Sequence, residues 1–361
     1  MADEKKGTES ARGKNRRKER KDEHIEQYLQ TSYSGDSLLD EVYLEPVSLP
    51  ELSLAEIDSR LSFLGRTIPF PFMINAMTGG TETTRAINQS LARLARKAGV
   101  PLQLGSMRIA LEDASSLDSF RVARDEMGKE GILLANIGPD ATVEEVATIM
   151  EAIEADGVGI HLNAHQEAVQ EEGQRDFRGW KARLKEIAQA FPGKVIVKQV
   201  GLGMDVATLR FLNDLPLAYV DISGTGGTNF FEIEDLRLLS EDFTEFYGWG
   251  IPTAQAILSG RTHCPRQALI ASGGVRTATD LLHALVLGAR MGAGSGELLR
   301  FLLNGNEAYA DQYLTELQAH FRLAMAFMAC RTLEELPRLP HRLLGRLGEL
   351  QTAPLRGSLP E

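Results

Sequence analysis

Residues Ala268–Gly296 read ALIASGGVRTATDLLHALVLGARMGAGSG. A short apolar run, Ala268–Ala271, stops at Ser272-Gly273-Gly274, a helical pattern continues through Leu287, and a second run of small residues, Met291–Ser295, closes the stretch. Strand, turn, helix and strand in this order make a βαβ unit. Gly273 and Gly274 let the backbone come close to a ligand with its N–H groups unobstructed, and the helix that follows turns its positive end to the same place, so a phosphate fits there. By itself the Gly-Gly pair fits a plain tight βα turn equally well.

Working back towards the N-terminus, the same alternation recurs. Apolar runs stand at FPFMINAMT (70–78), PLQLGSM (101–107), ILLANIG (132–138), GVGIHLN (157–163), VIVKQVG (195–201) and AYVDIS (218–223), before ALIASGG (268–274) and MGAGS (291–295). Helical patterns lie between them around Arg85–Ala98, Leu117–Lys129, Val143–Ala155, Trp180–Ala190, Val206–Asn213, Thr253–Ser259 and Ala278–Leu287, with Leu298–Leu303 after the last run. Near-continuous apolar strands separated by helices indicate a parallel sheet buried on both faces, and eight repeats indicate closure into an α/β (β/α)8 TIM barrel. The opening stretch then supplies strands seven and eight, whose loops form the usual phosphate site of such a barrel.

The barrel is expected over residues 67–304. It follows a basic tail (1–19), read as solvated and disordered around Lys14–Lys18, and an N-terminal extension (20–66) covering the barrel mouth, helical over RKDEHIEQYLQ (20–30) and irregular to about Arg66; a C-terminal helical segment and tail (305–361) comes after it. The 361 residues can fill one barrel-sized domain or two smaller ones. A net charge of −11 argues against a general nucleic-acid surface, although ARGKNRRKERK (11–21) is densely basic. No apolar run approaches the roughly 20 residues of a membrane span, and MADEKKGTES lacks the apolar core of a signal peptide, so a cytoplasmic protein is expected. Cys264 and Cys330 show no metal-ligand spacing and read as buried or inert thiols.

Nearly every strand ends in polar or glycine residues that packing does not require. Strand one ends Asn75-Ala76-Met77-Thr78-Gly79-Gly80, two Ser106-Met107-Arg108, three Asn136, four His161 to Glu167, five Lys198 and six Asp221 to Thr228. In this fold the strand C-termini build the active site, so these residues read together as one site. The glycine turns Gly224–Gly227 and Gly273–Gly274 are adjacent in a barrel and suit one phosphate monoester, hence a mononucleotide. Lys198 places a fixed cation where a reduced flavin carries negative charge, which favours FMN; pairing with a strand-end carboxylate such as Asp221 is the structural alternative. Arg108, with Arg20 and Lys21 from the N-terminal segment, implies a second anion. Glu167 beside Gln166 suits a Mg²⁺ ion bridging to a diphosphate, and His161 and Asn163 are placed to position the same group. His165 reads mostly as packing.

RKDEHI (20–25), NAMTGG (75–80), GSMR (105–108), HLNAHQEAVQ (161–170), SGTGGTNF (223–230) and ASGGVR (271–276) together closely resemble the type 2, FMN-dependent isopentenyl diphosphate isomerases, from about Arg20 to Leu303. The resemblance implies interconversion of isopentenyl and dimethylallyl diphosphate in isoprenoid biosynthesis, Mg²⁺, FMN active when reduced, NADPH or NADH as the reductant that primes it, and a homotetramer or homo-octamer. By motif it implies FMN contacts from Ala76, Met77, Thr78, Ser106, Asn136, Lys198, Ser223, Thr228, Gly273, Gly274, Val275, Gly294 and Ser295. Substrate contacts fall to Arg20, Lys21, Ser106, Met107, Arg108 and Gln166, and the metal to Glu167. No side chain is assigned as the acid or base: reduced FMN is implied in that role, with His161, Asn163 and Gln166 in support. The chain departs from the pattern at His165 and Thr225. The competing reading is an FMN-dependent barrel oxidoreductase of the hydroxy-acid oxidase or dehydrogenase type, which needs a His base and paired arginines; Gln166-Glu167 and the basic segment argue against it.

Overall fold

The computed structural model describes residues 20–32, 35–238 and 241–353; the basic tail over residues 1–19 lies outside them. Eight parallel strands close into a barrel: β1 (Phe72–Ile74), β2 (Leu102–Gln103), β3 (Leu133–Ile137), β4 (Gly157–Leu162), β5 (Val195–Gln199), β6 (Tyr219–Asp221), β7 (Leu269–Ala271) and β8 (Met291–Gly294). β8 pairs back onto β1 through Gly292 and Phe72. Every residue of β3 and β5 is buried, as expected of strands covered on both faces. The helices between strands are α1 (Glu82–Ala98), α2 (Asp118–Met127), α3 (Val143–Ala152), α4 (Trp180–Ala190), α5 (Val206–Asn213), α6 (Thr253–His263) and α7 (Ala278–Leu287), with α8 (Gly296–Leu303) after β8. The expected alternation, and the TIM barrel, are what the chain forms.

Local sequence fixes several of these boundaries. Thr81, Thr142 and Thr277 accept the N3 backbone N–H of α1, α3 and α7, while Thr84, Glu145 and Asp280 reach back to the N-cap N–H in capping boxes. In α1, Ile87, Leu91 and Leu94 recur at helical spacing and are buried.

The N-terminal extension is more structured than its sequence suggests. Leu61–Phe63 and Arg66–Ile68 form an antiparallel hairpin. Phe63 packs on Tyr219 at the start of β6, with ring centroids 4.9 Å apart, and the Tyr219 hydroxyl donates to the Ser62 carbonyl at 3.3 Å. The hairpin therefore closes the N-terminal end of the barrel. Three-residue strands are too short to show a period, which is why the segment reads as irregular. Val42–Tyr43 pairs antiparallel with Arg342–Leu343, joining the two flanking segments beyond the long helix α9 (Glu307–Phe327). Among the described residues no helix is long and apolar enough to cross a membrane.

Candidate active site

With the hairpin at the other end, the strand C-termini open into a cavity of about 1080 Å³. Its wall includes Ala76, Met77 and Thr78 after β1, Ser106 and Arg108 after β2, Asn136 of β3, His161, Asn163, Gln166 and Glu167 from β4 onward, Lys198 of β5, Ser223 and Thr228 after β6, Gly273, Gly274 and Val275 after β7, Gly294 of β8 and Ser295 after it, and Arg20 and Lys21. Of the residues singled out from sequence, Met107 does not line it. Its side chain is fully buried, and its N–H donates to the Asn136 carbonyl at 2.8 Å. Its neighbours at the end of strand two suggested an exposed site, but Met107 is where the chain turns into the short helix Arg108–Glu112, and that turn points its side chain into the core.

The β6 and β7 turns meet at one end of the cavity. Gly273 and Gly274 have φ of +93° and +87°, and a Cβ on Gly273 would lie 1.9 Å from the Gly224 carbonyl oxygen. Only glycine fits that approach. The Thr253 hydroxyl, at the start of α6, lies 2.8 Å from the Thr225 carbonyl and 2.5 Å from that of Gly273, tying the two turns together. Thr225, one departure from the family pattern, turns its own hydroxyl away to the Asp36 carbonyl at 2.9 Å. The backbone thus forms a cradle beside the N-terminal ends of α7 and α8, with room for a phosphate and no space for added side chains.

In the middle of the wall, Lys198 is buried and its ammonium donates to the Gln199 carbonyl at 3.2 Å. Burial pulls its pKa below the ordinary lysine value, and Asp221, its register partner on β6, acts in the opposite sense. On its other side Lys198 is in register with His161.

The opposite end is cationic. His161 Nδ1 lies 3.0 Å from Asn136 Oδ1. Burial first, then Lys198, Arg108, Lys21 and Arg20, pull its pKa down to about 3, so the ring is neutral at working pH. Arg108 sits 2.9 Å from Asp140 and 2.8 Å from Glu145, with its buried Nη2 lacking a well-aligned hydrogen-bond acceptor. Lys21 donates to the carbonyls of Ser106, at 2.9 Å, and Gly79. Glu167 accepts from Asn163 Nδ2 at 2.9 Å and from the Gln174 N–H at 2.8 Å. Among the described residues no cluster of three or more His, Cys, Asp or Glu side chains could by itself hold a metal ion. Glu167 is a single hard oxygen donor at the edge of an anion site, the set that suits Mg²⁺ when phosphate and water complete the shell. His165, expected in packing, is exposed instead, because its short helix (Ala164–Val169) runs along the rim and buries no side chain.

Arg20 and Lys21 reach the cavity on a helix over residues 20–28. Ile25 and Tyr28 bury its inner face. Glu234, fully buried in the helix Phe230–Arg237, accepts from His24 Nε2 at 2.9 Å and Gln170 Nε2 at 2.8 Å, with the Arg237 guanidinium also against it. Burial raises the Glu234 pKa, but His24 and Arg237 outweigh it and hold the carboxyl below its usual value. Arg20 in turn donates to Gln170 Oε1 at 2.9 Å. Sequence reasoning missed this network. Glu234 and Arg237 show a helical i,i+3 spacing, but nothing local links them to residue 24.

Comparison with known proteins agrees with this geometry. The family profile described as FMN-dependent dehydrogenase matches residues 133–341. Similar solved structures include a flavocytochrome b2 (TM-score 0.64, 15% identity, covering 93% of this chain and 86% of that one) and a mandelate oxidase (TM-score 0.60, 15% identity, 92% and 98%), which support the fold. Fold and site together define an FMN-dependent (β/α)8 flavoenzyme. Curated relatives called isopentenyl-diphosphate delta-isomerase include proteins from Listeria innocua (35% identical, 92% of this chain and 93% of that one), Bacillus pumilus (38%, 89% and 90%) and a Geobacillus species (39%, 90% and 93%). The chain belongs to the isopentenyl-diphosphate delta-isomerase family.

Proposed function

We propose that this enzyme interconverts isopentenyl diphosphate and dimethylallyl diphosphate, with FMN in the glycine cradle and over Lys198 and the diphosphate in the cationic end of the cavity. The observation that carries the reading is that Arg20, Lys21, Arg108 and Lys198, all bearing on the neutral His161, line the same cavity as the glycine cradle. One anion-binding feature serves the cofactor phosphate, and a second remains for the substrate. A cavity of about 1080 Å³ has room for both.

In this reading Arg20, Lys21, Arg108 and Gln166 bind the diphosphate, while Glu167 holds Mg²⁺ against it with Asn163 fixing the carboxylate. His161 stays neutral and orients the same group. The contacts of Met77, Thr78, Ser106 and Asn136 set the flavin's depth in the barrel mouth, and Lys198 favours the anionic reduced form. Held by these residues, reduced FMN would supply the acid–base chemistry for moving the double bond, and NADPH or NADH would only prime it. The protein contributes orientation, charge stabilisation and closure by the helix over residues 20–28.

The test is anaerobic turnover of isopentenyl diphosphate by the purified yellow protein before and after reduction with NADPH and Mg²⁺. Isomerisation is expected only in the reduced sample. Full turnover with oxidised flavin would overturn the reading, as would oxidation of a 2-hydroxy acid without isomerisation.

A further inference from the structure

Asp221 touches nothing in the cavity, yet it is bonded to several groups that line it. It is fully buried at the end of β6 and accepts from Asn75 Nδ2 of the β1 segment at 2.9 Å, Ser272 Oγ after β7 at 2.5 Å and the Ser223 N–H at 3.2 Å. Asn75 cannot be reversed, because its Oδ1 accepts the Ala76 N–H at 2.8 Å. With an N–H donor on each oxygen, from Asn75 and from Ser223, these bonds favour the anionic carboxylate, and a buried anion is stabilised by a cation close by. Lys198, opposite it in register on β5, is that cation.

We infer that Asp221 is a positioning residue that keeps Lys198 charged and aimed at the flavin while holding the Asn75–Ala76 backbone against the same ring. This rests on the reading that Lys198 faces the flavin. Lys198 is flanked by His161 from β4, which is neutral, and by Asp221 from β6, so the carboxylate supplies the local charge that offsets burial of the ammonium. Burial pushes Asp221 up, and Lys198 is the first influence opposing it, so the two charges sustain each other. Without the carboxylate, Lys198 becomes an isolated buried amine and gives up its proton at lower pH.

The measurement is the flavin midpoint potential of the holoenzyme and of Lys198→Met, Asp221→Asn and the double variant. Near pH 8, Asp221→Asn is expected to weaken reduced over oxidised FMN about tenfold, or about 30 mV for a two-electron couple. The gap to the parent should shrink towards about pH 6 as Lys198 regains its proton, a pH dependence that simple loss of packing does not give. The double variant should match Lys198→Met. An unchanged or raised potential in Asp221→Asn, or additive shifts in the double variant, would overturn the inference. Should Asp221→Asn alone fail to retain flavin, the comparison of Lys198→Met with the double variant, in which neither buried charge remains, still decides: equal potentials support the role and a tenfold difference refutes it. A Lys198→Met potential equal to the parent's would instead refute the Lys198–flavin reading on which the inference rests.

Discussion

At the scale of the residue, Glu167 and His161 divide the work of the cationic end by charge. Glu167 receives one hydrogen bond on each carboxylate oxygen. Glu167→Gln keeps the volume but turns its NH2 towards one of those donors, so a contact worth about 0.5–1.5 kcal/mol is lost along with the charge. The variant is expected to fold, stay yellow and turn over slowly, with partial rescue at high Mg²⁺ and a raised half-saturating concentration. A low rate that no amount of metal lifts would make Glu167 a direct proton carrier instead. His161 makes a prediction about stability. Its pKa lies near 3 in the fold against 6.5 in a free chain. The unfolded chain takes up the proton first as pH falls, so the stability gained by keeping this ring neutral is complete above 6.5 and is lost between 6.5 and about 3. Thermal midpoints of His161→Gln should therefore fall less steeply than the parent's over that window. Parallel acid limbs would show that the ring is not held neutral.

At the scale of the element, the helix over residues 20–28 is the part whose position depends on charge. Its inner face carries Ile25 and Tyr28, but its register on the barrel is set by His24, Arg20 and Lys21 meeting Glu234, Gln170 and two backbone carbonyls. A helix this short has little intrinsic stability, so these contacts decide whether it stays docked. Glu234→Ala removes the shared acceptor of His24 Nε2 and Gln170 Nε2, while Arg237 keeps Glu23 and Glu172, a change of about 1.5–3 kcal/mol. Hydrogen exchange over residues 20–28 is expected to rise and KM for the diphosphate to increase by about tenfold to a hundredfold, with flavin content unchanged. If KM rises while the protection of that segment does not change, Glu234 acts on substrate by another route.

At the scale of the whole molecule, the two ends of the barrel do separate jobs. The hairpin at Leu61–Ile68 closes the N-terminal end with Phe63, which is fully buried, and takes no part in the cavity. Phe63→Ala is expected to cost about 3–5 kcal/mol of stability through loss of burial and the cavity left behind. The flavin spectrum and the KM of the folded fraction should stay those of the parent. A displaced flavin spectrum in this variant would show that the two ends are mechanically coupled.

The barrel and the end at which its cavity opens were legible in the sequence because their causes are local. A parallel strand buried on both faces must be largely apolar, as β3 and β5 are, and the polar residues that interrupt such runs at Asn136, His161 and Lys198 mark the end at which the cavity opens. Thr-initiated capping boxes and the Gly273-Gly274 turn are likewise written in a few consecutive residues. The tertiary structure alone decided which groups meet across the chain. His24 finds Glu234 across 210 positions, Asn75 finds Asp221 across 146, and Arg108 is held by Glu145 37 residues on. These pairings depend on closure of the barrel and docking of the extension, and no local pattern records them, because a hydrogen bond between distant residues leaves no period in the sequence of either partner.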